Sequence, residues 1–282
     1  MQKWASLKYQ RQKLVKDFIF WIFYVDYIYM KIHRFLIGQK DMIKDKISDC
    51  LLEIVNQEVI HQLTHVLKIK NGQKVVFLDG QGMATQAIFL EGNKSGLKFN
   101  IDKTLTNLPK NKIELNLLPA LIKKDKIEYV LQKCTEIGVV NFQPIISDRS
   151  EKLSFKMDRA EKIIKEAFEQ SEKNYLPQVS VPLMLEEYMA QYETLGQNKK
   201  NLFYLDIEAP IINVNQLVSQ IKNEENNKNK ISFFVGPEGG WSDLDRKIFH
   251  DNNVKPISLG DTVLRAETAS IAVASLILLG QN

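Results

Sequence analysis

The sequence predicts an α/β protein: a parallel sheet covered by helices, preceded by a small β-rich module. Three observations carry that reading. From Asn107-Leu108-Pro109 onward, short apolar runs alternate with amphipathic helical periods, the grammar of strand–helix–strand units. Before that point, Lys31 to Leu105 breaks into short strand-like runs and turns spaced as in a small barrel. Near the C-terminus, two glycine-centred loops each leave a strand-like run and open a helix.

The elements follow in order. Lys31 to Ile37 reads as a first strand and Glu58 to Lys70 as a short helix. Lys74 to Leu78 is a strand that ends at the turn Asp79-Gly80-Gln81-Gly82. Ala84 to Leu90 and Gly96 to Ile101 are further strands, split by Glu91-Gly92-Asn93. In the second part, Ile113 to Leu118 is a strand, and Asp125 with Glu128 has the spacing of a capping box. The helix it opens carries the stripe Ile127, Val130, Leu131, Cys134, Ile137 and stops at Gly138. Val139 to Ile146 is the next strand. Asp158 and Glu161 are placed to cap a helix striped with Ala160, Ile163, Ile164, Ala167 and Phe168. Leu202 to Asp206, Ile231 to Val235 and Pro256 to Leu259 are short buried strands, and Asn223 to Lys230 is a polar linker. Ser242 with Asp245 caps the helix after the first glycine loop. Thr268 to Leu279 is apolar nearly all round and must be buried. The expected domains are 30–105 and 109–282.

Composition narrows the function classes only loosely. The 282 residues are 44% hydrophobic with a formal charge of +4, mild enough to permit a nucleic-acid partner without demanding one. Residues 1–46 hold ten Lys and Arg against four Asp and Glu, so the N-terminal end is the basic one. The two cysteines, Cys50 and Cys134, have no metal-ligand spacing, and Cys134 sits on a helix stripe as a buried thiol would. His61 and His65 are spaced as ligands on one helix face, but no third ligand accompanies them, so no metal is expected. The run Phe18 to Val25 is bounded by Asp17 and Asp26 and falls short of the ~20 apolar residues a spanning helix needs. No small-residue cleavage site follows it. Residues 1–29 therefore read as a non-native or disordered extension, with an interfacial anchor as the competing reading and no stable membrane association expected.

The glycine loops hold the chemistry. The first is Gly236-Pro237-Glu238-Gly239-Gly240; its spacing is neither that of a dinucleotide fingerprint nor that of a P-loop. Pro237 stiffens the turn, and the paired glycines allow positive φ. The second runs Leu259-Gly260-Asp261-Thr262-Val263-Leu264-Arg265-Ala266-Glu267-Thr268-Ala269. Arg265 and Glu267 are placed to form a buried pair, which is costly unless it serves a site, although a structural ion pair also accounts for it. Two such loops in one sheet can wall a single small-molecule pocket.

These loops, in this order, closely resemble the signature of the RsmE-type ribosomal RNA methyltransferases of the trefoil-knotted SPOUT class. Upstream, Gln132-Lys133-Cys134-Thr135-Glu136-Ile137-Gly138-Val139 and Glu169-Gln170-Ser171 followed by Leu176-Pro177 also match, with a weaker match at Arg34-Phe35, His61 and Val66-Leu67-Lys68. The resemblance spans about residues 30 to 280. It implies a PUA-like RNA-docking domain followed by a knotted methyltransferase domain that works as a homodimer in the cytoplasm. The implied reaction is S-adenosylmethionine-dependent methylation of a uridine N3 in 16S ribosomal RNA of the small subunit. Another RNA position, or a catalytically inactive RNA-binding homologue, are the alternatives.

Residue by residue, the resemblance assigns Gly236, Pro237, Glu238, Gly239, Gly240, Leu259, Gly260, Leu264, Thr268 and Ala269 to the cofactor. It assigns Arg34, Lys68, Lys133 and Lys173 to RNA. Lys68 and Lys173 stand where the family usually has arginine, which removes the planar fork from any phosphate contact there. Thr262 stands where a basic residue is common. Because uridine N3 carries a proton on the pairing edge, the base must be unpaired or flipped out. Arg265 is then the candidate to stabilise the charge that spreads over the carbonyl oxygens. Glu267 would orient Arg265 or act as base, and Glu238 would serve the loop or contact substrate.

Overall fold

The computed structural model describes residues 32–38, 42–44, 50–150, 155–194, 201–211, 217 and 230–280. The extension at 1–29 and residues 223–229 of the polar linker lie outside the described residues. The chain divides into two compact units. Of the described residues, one takes in 32–35, Met42–Phe77 and Gln86–Lys103; the other takes in 36–38, Leu78–Thr85 and those from Thr104 onward.

The first unit carries one six-stranded sheet. Its strands are β1 (His33–Leu36), β2 (Met42–Lys44), β3 (Leu51–Ile54), β4 (Lys74–Leu78), β5 (Ala84–Gly92) and β6 (Leu97–Leu105), in the order β1-β4-β5-β6-β3-β2. β3 pairs antiparallel with β2 (Met42 opposite Ile54) and with β6 (Ile54 opposite Leu97). Alternate residues of β5 are buried, the period that puts every second side chain on the core face. Phe77, Phe89 and Phe99 fill that core; the Phe77 and Phe99 rings meet edge to face at 5.0 Å.

The helix expected over Glu58 to Lys70 is shorter and of two kinds. α1 (Gln57–His61) starts where the Asn56 side chain accepts from the Val59 N–H at 3.1 Å. Gln62–Val66 then widens to a π-helical turn, closed by Leu67 N–H donating to the Gln62 carbonyl. Lys68 follows at φ +50°. The His61 and His65 rings stack 4.7 Å apart. Among the described residues no group of three metal-ligating side chains forms.

The second unit is built on the parallel sheet. Its elements are β7 (Glu114–Pro119), α2 (Lys124–Ile137), β8 (Asn141–Phe142), β9 (Ile145–Ile146), α3 (Met157–Gln170), β10 (Gln178–Val179), β11 (Leu183–Met184), α4 (Leu185–Thr194), β12 (Leu202–Leu205), β13 (Lys230–Val235), α5 (Asp243–Asp251), β14 (Lys255–Ile257) and α6 (Ala266–Leu278). The six-stranded sheet runs β10-β8-β7-β13-β12-β14, with Lys230 to Val235 in register with Glu114 to Pro119. One face packs Val130, Leu131 and Cys134 of α2, Ile163 and Ile164 of α3, and Val273, Ala274 and Ile277 of α6. The other packs Leu185 and Met189 of α4 and Phe249 of α5 against Tyr204 and Phe234. Both faces are covered, which is why β7 and β13 read as continuous apolar runs.

Four expectations are corrected here. Asp125 is not the α2 cap: Lys123 holds that position, Asp125 lies in the first turn, and Glu128 turns to Arg159 at 3.1 Å. Asp158 likewise lies in the first turn of α3, behind Lys156. Both carboxylates still favour the positive helix end. The single strand over Val139 to Ile146 is two, because Pro144 has no N–H to continue a ladder; β9 pairs with β11 instead. Finally, α6 starts at Ala266 and not at Thr268, with Arg265 as its N-cap.

Candidate active site

The site begins with strand ends. β13 delivers Val235 to the first glycine loop, which folds as a tight turn: Gly240 N–H donates to the Pro237 carbonyl at 2.9 Å, and Gly240 sits at φ +66°. A Cβ on Gly236 would stand 3.2 Å from the Trp241 ring, so the backbone presses directly on that indole. Trp241 Nε1 donates to the Leu205 carbonyl at 3.0 Å and ties the loop to the end of β12. A full capping box follows. Ser242 Oγ accepts from the Asp245 N–H at 3.2 Å, and the Asp245 carboxylate accepts from the Ser242 N–H at 3.0 Å.

The second loop leaves β14. Ser258 N–H donates to the Pro210 carbonyl, and Ser258 Oγ donates to the Gly260 carbonyl, both at 2.9 Å. Gly260 takes φ +145°, and a side chain there would point into open space. From Asp261 to Arg265 every residue is exposed, and none of these side chains takes a hydrogen-bond or ion-pair partner among the described residues.

The two loops and the end of β12 enclose one cleft of about 410 Å³. Gly236, Pro237, Glu238, Gly239, Gly240, Leu259, Gly260, Leu264, Arg265 and Ala269 all line it. The sequence reading missed its third wall, formed by Leu205, Asp206, Ile207 and Arg246. Arg246 Nε donates to Asp206 at 2.9 Å, and that hydrogen bond raises the Arg246 pKa above its ordinary value. The signal was the apolar run ending in Asp206, but nothing in it marks a strand end as a pocket wall until the sheet order is known.

Two assigned residues fall elsewhere. Glu267 is buried and does not line the cleft; its carboxylate meets Lys126 of α2 at 3.3 Å. The expected Arg265–Glu267 pair is therefore absent: Arg265 is exposed, and Glu267 ties α6 to α2. The cause is helical geometry, since residues two apart on a helix start point to different faces. Thr268 is exposed and also outside the lining.

The four residues assigned to RNA do not line this cleft either. Arg34 lies half-buried on β1 and Lys68 is exposed. Lys133 pairs with Glu136 at 2.8 Å on its own helix. Lys173 Nζ donates to the Ile137 carbonyl at 3.3 Å, at the C-terminal end of α2 where a cation complements the helix dipole. Cys134 is fully buried and its thiol is pushed up to about 12 by desolvation, which makes it an inert core group.

Residues 109–278 match the RNA methyltransferase domain family. The chain belongs to that family. It is 30% identical over 226 residues to the ribosomal RNA small subunit methyltransferase E of Synechocystis, covering 77% of this chain and 70% of the relative. It is 28% identical to the protein of the same name from Rickettsia conorii, over 90% of this chain and 98% of the relative. A solved ribosomal RNA small subunit methyltransferase E from Neisseria gonorrhoeae, bound to S-adenosyl methionine, superposes with a TM-score of 0.70 at 23% identity, over 86% of this chain and 95% of that one. At that identity the likeness establishes the shared fold.

The cleft suits a bound S-adenosylmethionine. Side chains at Gly240 and Gly260 would project into free space within 4 Å of nothing, so the main chain is laid bare for a ligand to approach. Leu205, Ile257, Leu259 and Leu264 supply apolar walls, and the volume lies within the range of small-molecule sites.

Proposed function

We propose that this chain is an S-adenosylmethionine-dependent methyltransferase acting on N3 of a uridine in 16S ribosomal RNA of the small subunit. The observation that carries the reading is the convergence of both glycine loops on one cleft in a member of the RNA methyltransferase family. When bound, the cofactor supplies an electrophilic methyl group, so transfer needs positioning more than covalent help. Gly236 to Gly240 and Leu259 to Leu264 would hold it. The uridine must present N3 free of its pairing partner and lose a proton. Arg265 lines the cleft and its guanidinium takes no partner among the described residues, which supports its assignment to the negative charge that develops on the uracil oxygens. Glu267 is engaged by Lys126 and fixes the start of α6, so its part is to hold Arg265 in place and not to act as base.

The finer architecture belongs to the same proposal. The β-rich first unit is a PUA-like barrel that docks RNA, with Arg34 and Lys68 meeting phosphate. Lys133 and Lys173 would meet RNA on the second unit, which carries the trefoil knot. The protein works as a homodimer in the cytoplasm. Support for the dimer comes from apolar groups left exposed at the second loop and along α6: Val263 is 80% exposed, and Leu276 and Leu279 also face outward. Among the described residues no helix is long and apolar enough to cross a membrane.

Isothermal titration with S-adenosylmethionine, followed by methyl transfer to small subunits from cells lacking the gene, tests the reading. Uptake of the cofactor with N3-methyluridine formation supports it. Uptake followed by methylation at another position would select the alternative substrate.

A further inference from the structure

The first glycine loop is held by a segment that neither glycine loop contains. Ser147 to Ser150 follows β9 and closes on itself: Ser150 N–H donates to the Ser147 carbonyl at 3.0 Å, and the Ser147 and Ser150 hydroxyls meet at 2.9 Å. The turn is fastened at two points, one on the helix that follows the first loop and one on the loop itself. The Asp148 N–H donates to Asp245 Oδ1 at 3.3 Å, on the carboxylate that also closes the α5 capping box. Arg149 Nη1 donates to the Gly239 carbonyl at 2.9 Å, and the Arg149 stem lies along Gly239.

The chemistry of that carbonyl gives the contact its meaning. The peptide between Gly239 and Gly240 has no Cβ on either side, so rotation of the whole peptide plane meets little steric resistance. A flipped plane would turn the Gly240 N–H and the Gly239 carbonyl away from their present partners and reshape the cleft wall. Two bonds oppose the flip: Gly240 N–H to the Pro237 carbonyl inside the loop, and the Gly239 carbonyl to Arg149 from outside it. The second is charge-assisted and the stronger kind.

We propose that Arg149 is a positioning residue for the cofactor loop, fixing the Gly239–Gly240 peptide so that the loop is preorganised for S-adenosylmethionine. The inference rests on the cofactor reading above. Arg149 acts through Gly239, which lines the cleft; Arg149 itself does not. Its effect is on affinity, because a loop that must first be ordered weakens binding by the fraction of time it is misplaced.

The experiment measures cofactor affinity by titration calorimetry and melting temperature for three full-length proteins: the wild type, Arg149→Met and Arg149→Lys. Arg149→Met keeps an apolar stem and removes the donors. It is expected to weaken cofactor binding about tenfold, as loss of a charge-assisted hydrogen bond does, with the cofactor-free melting temperature within a degree or so of wild type. Arg149→Lys keeps a charged donor for the single Gly239 carbonyl and should recover most of the lost affinity. Unchanged affinity in Arg149→Met overturns the proposal while leaving the cofactor reading intact. A cofactor-free melting temperature several degrees lower in Arg149→Met also overturns it, since Arg149 would then hold the fold and not the loop. A wild type that takes up no cofactor overturns the reading and the proposal together.

Discussion

The two glycine loops that face each other across the cleft are built by opposite means. The first is fastened on all sides: Trp241 to β12, Ser242 and Asp245 to each other, and Arg149 to Gly239. Among the described residues the second is fastened only at its root, by Ser258 to Gly260 and to Pro210, and then runs exposed to Arg265. One wall is preorganised by the chain's own side chains. The other keeps its side chains without partners among the described residues, including the guanidinium proposed for charge stabilisation. On the proposal above both walls hold the cofactor, and the free one also turns Arg265 toward the substrate. Substitutions in the two walls should consequently fail differently.

The largest effect is expected on the free wall. Arg265→Ala should lower turnover by about 10²–10³, the usual consequence of removing one charge-stabilising donor, with cofactor affinity changed no more than a few-fold. Single-turnover methyl transfer alongside calorimetry separates the two. A collapse of cofactor affinity instead would make Arg265 part of the cofactor wall and erase the contrast.

On the rigid wall the loss should appear first in stability. Asp245 is buried, closes the capping box and accepts from Asp148 as well. Asp245→Ala should cost about 2 kcal/mol in denaturant unfolding, at the upper end for a lost cap, with weaker cofactor binding in proportion to the loosened loop. A variant as stable as wild type would show that the fastening is redundant.

How much of this could be read from the chain alone follows the same division. The strands ending in the loops, the Ser242 cap, the α2 stripe and its stop at Gly138 were legible because each is a local pattern: a period, a cap residue, or a glycine at φ +115°. Ten of the twelve residues assigned to the cofactor or the chemistry line the cleft for the same reason, since they sit within two short motifs. What escaped was long-range. Glu267 turns to Lys126, some 140 positions away in the chain, and no local spacing announces that partner. Arg149 reaches Gly239 across 90 positions, and Asp206 becomes a wall only because β12 lies beside β13. The polar residues of α4 mask its period in the sequence, although Leu185, Met189 and Tyr192 are spaced four and three apart on one buried face.

A smaller effect is expected at Glu267. Its partner Lys126 is about one-third exposed, so the pair is partly screened, and Glu267→Gln should cost no more than about 1 kcal/mol of stability. Turnover should fall only modestly, through a looser start to α6. Turnover abolished at unchanged stability would return Glu267 to the role of base.

The smallest effect lies far from either wall. Burial pushes the Cys134 thiol up to about 12, so its folded pKa stands above its unfolded one. Its contribution is fully present below the ordinary thiol range and is lost as pH rises from there toward about 12. At pH 8, a thiol reagent should label only the exposed Cys50 in the folded protein and both cysteines in denaturant. Two labels on the folded protein would mean the α2 face opens readily.

The most direct test of the central claim is mass spectrometry of 16S ribosomal RNA from cells with and without this gene. The account predicts N3-methyluridine at one site in the first and unmethylated uridine there in the second, restored by the wild type and not by Arg265→Ala. An identical N3-methyluridine content in both would contradict it.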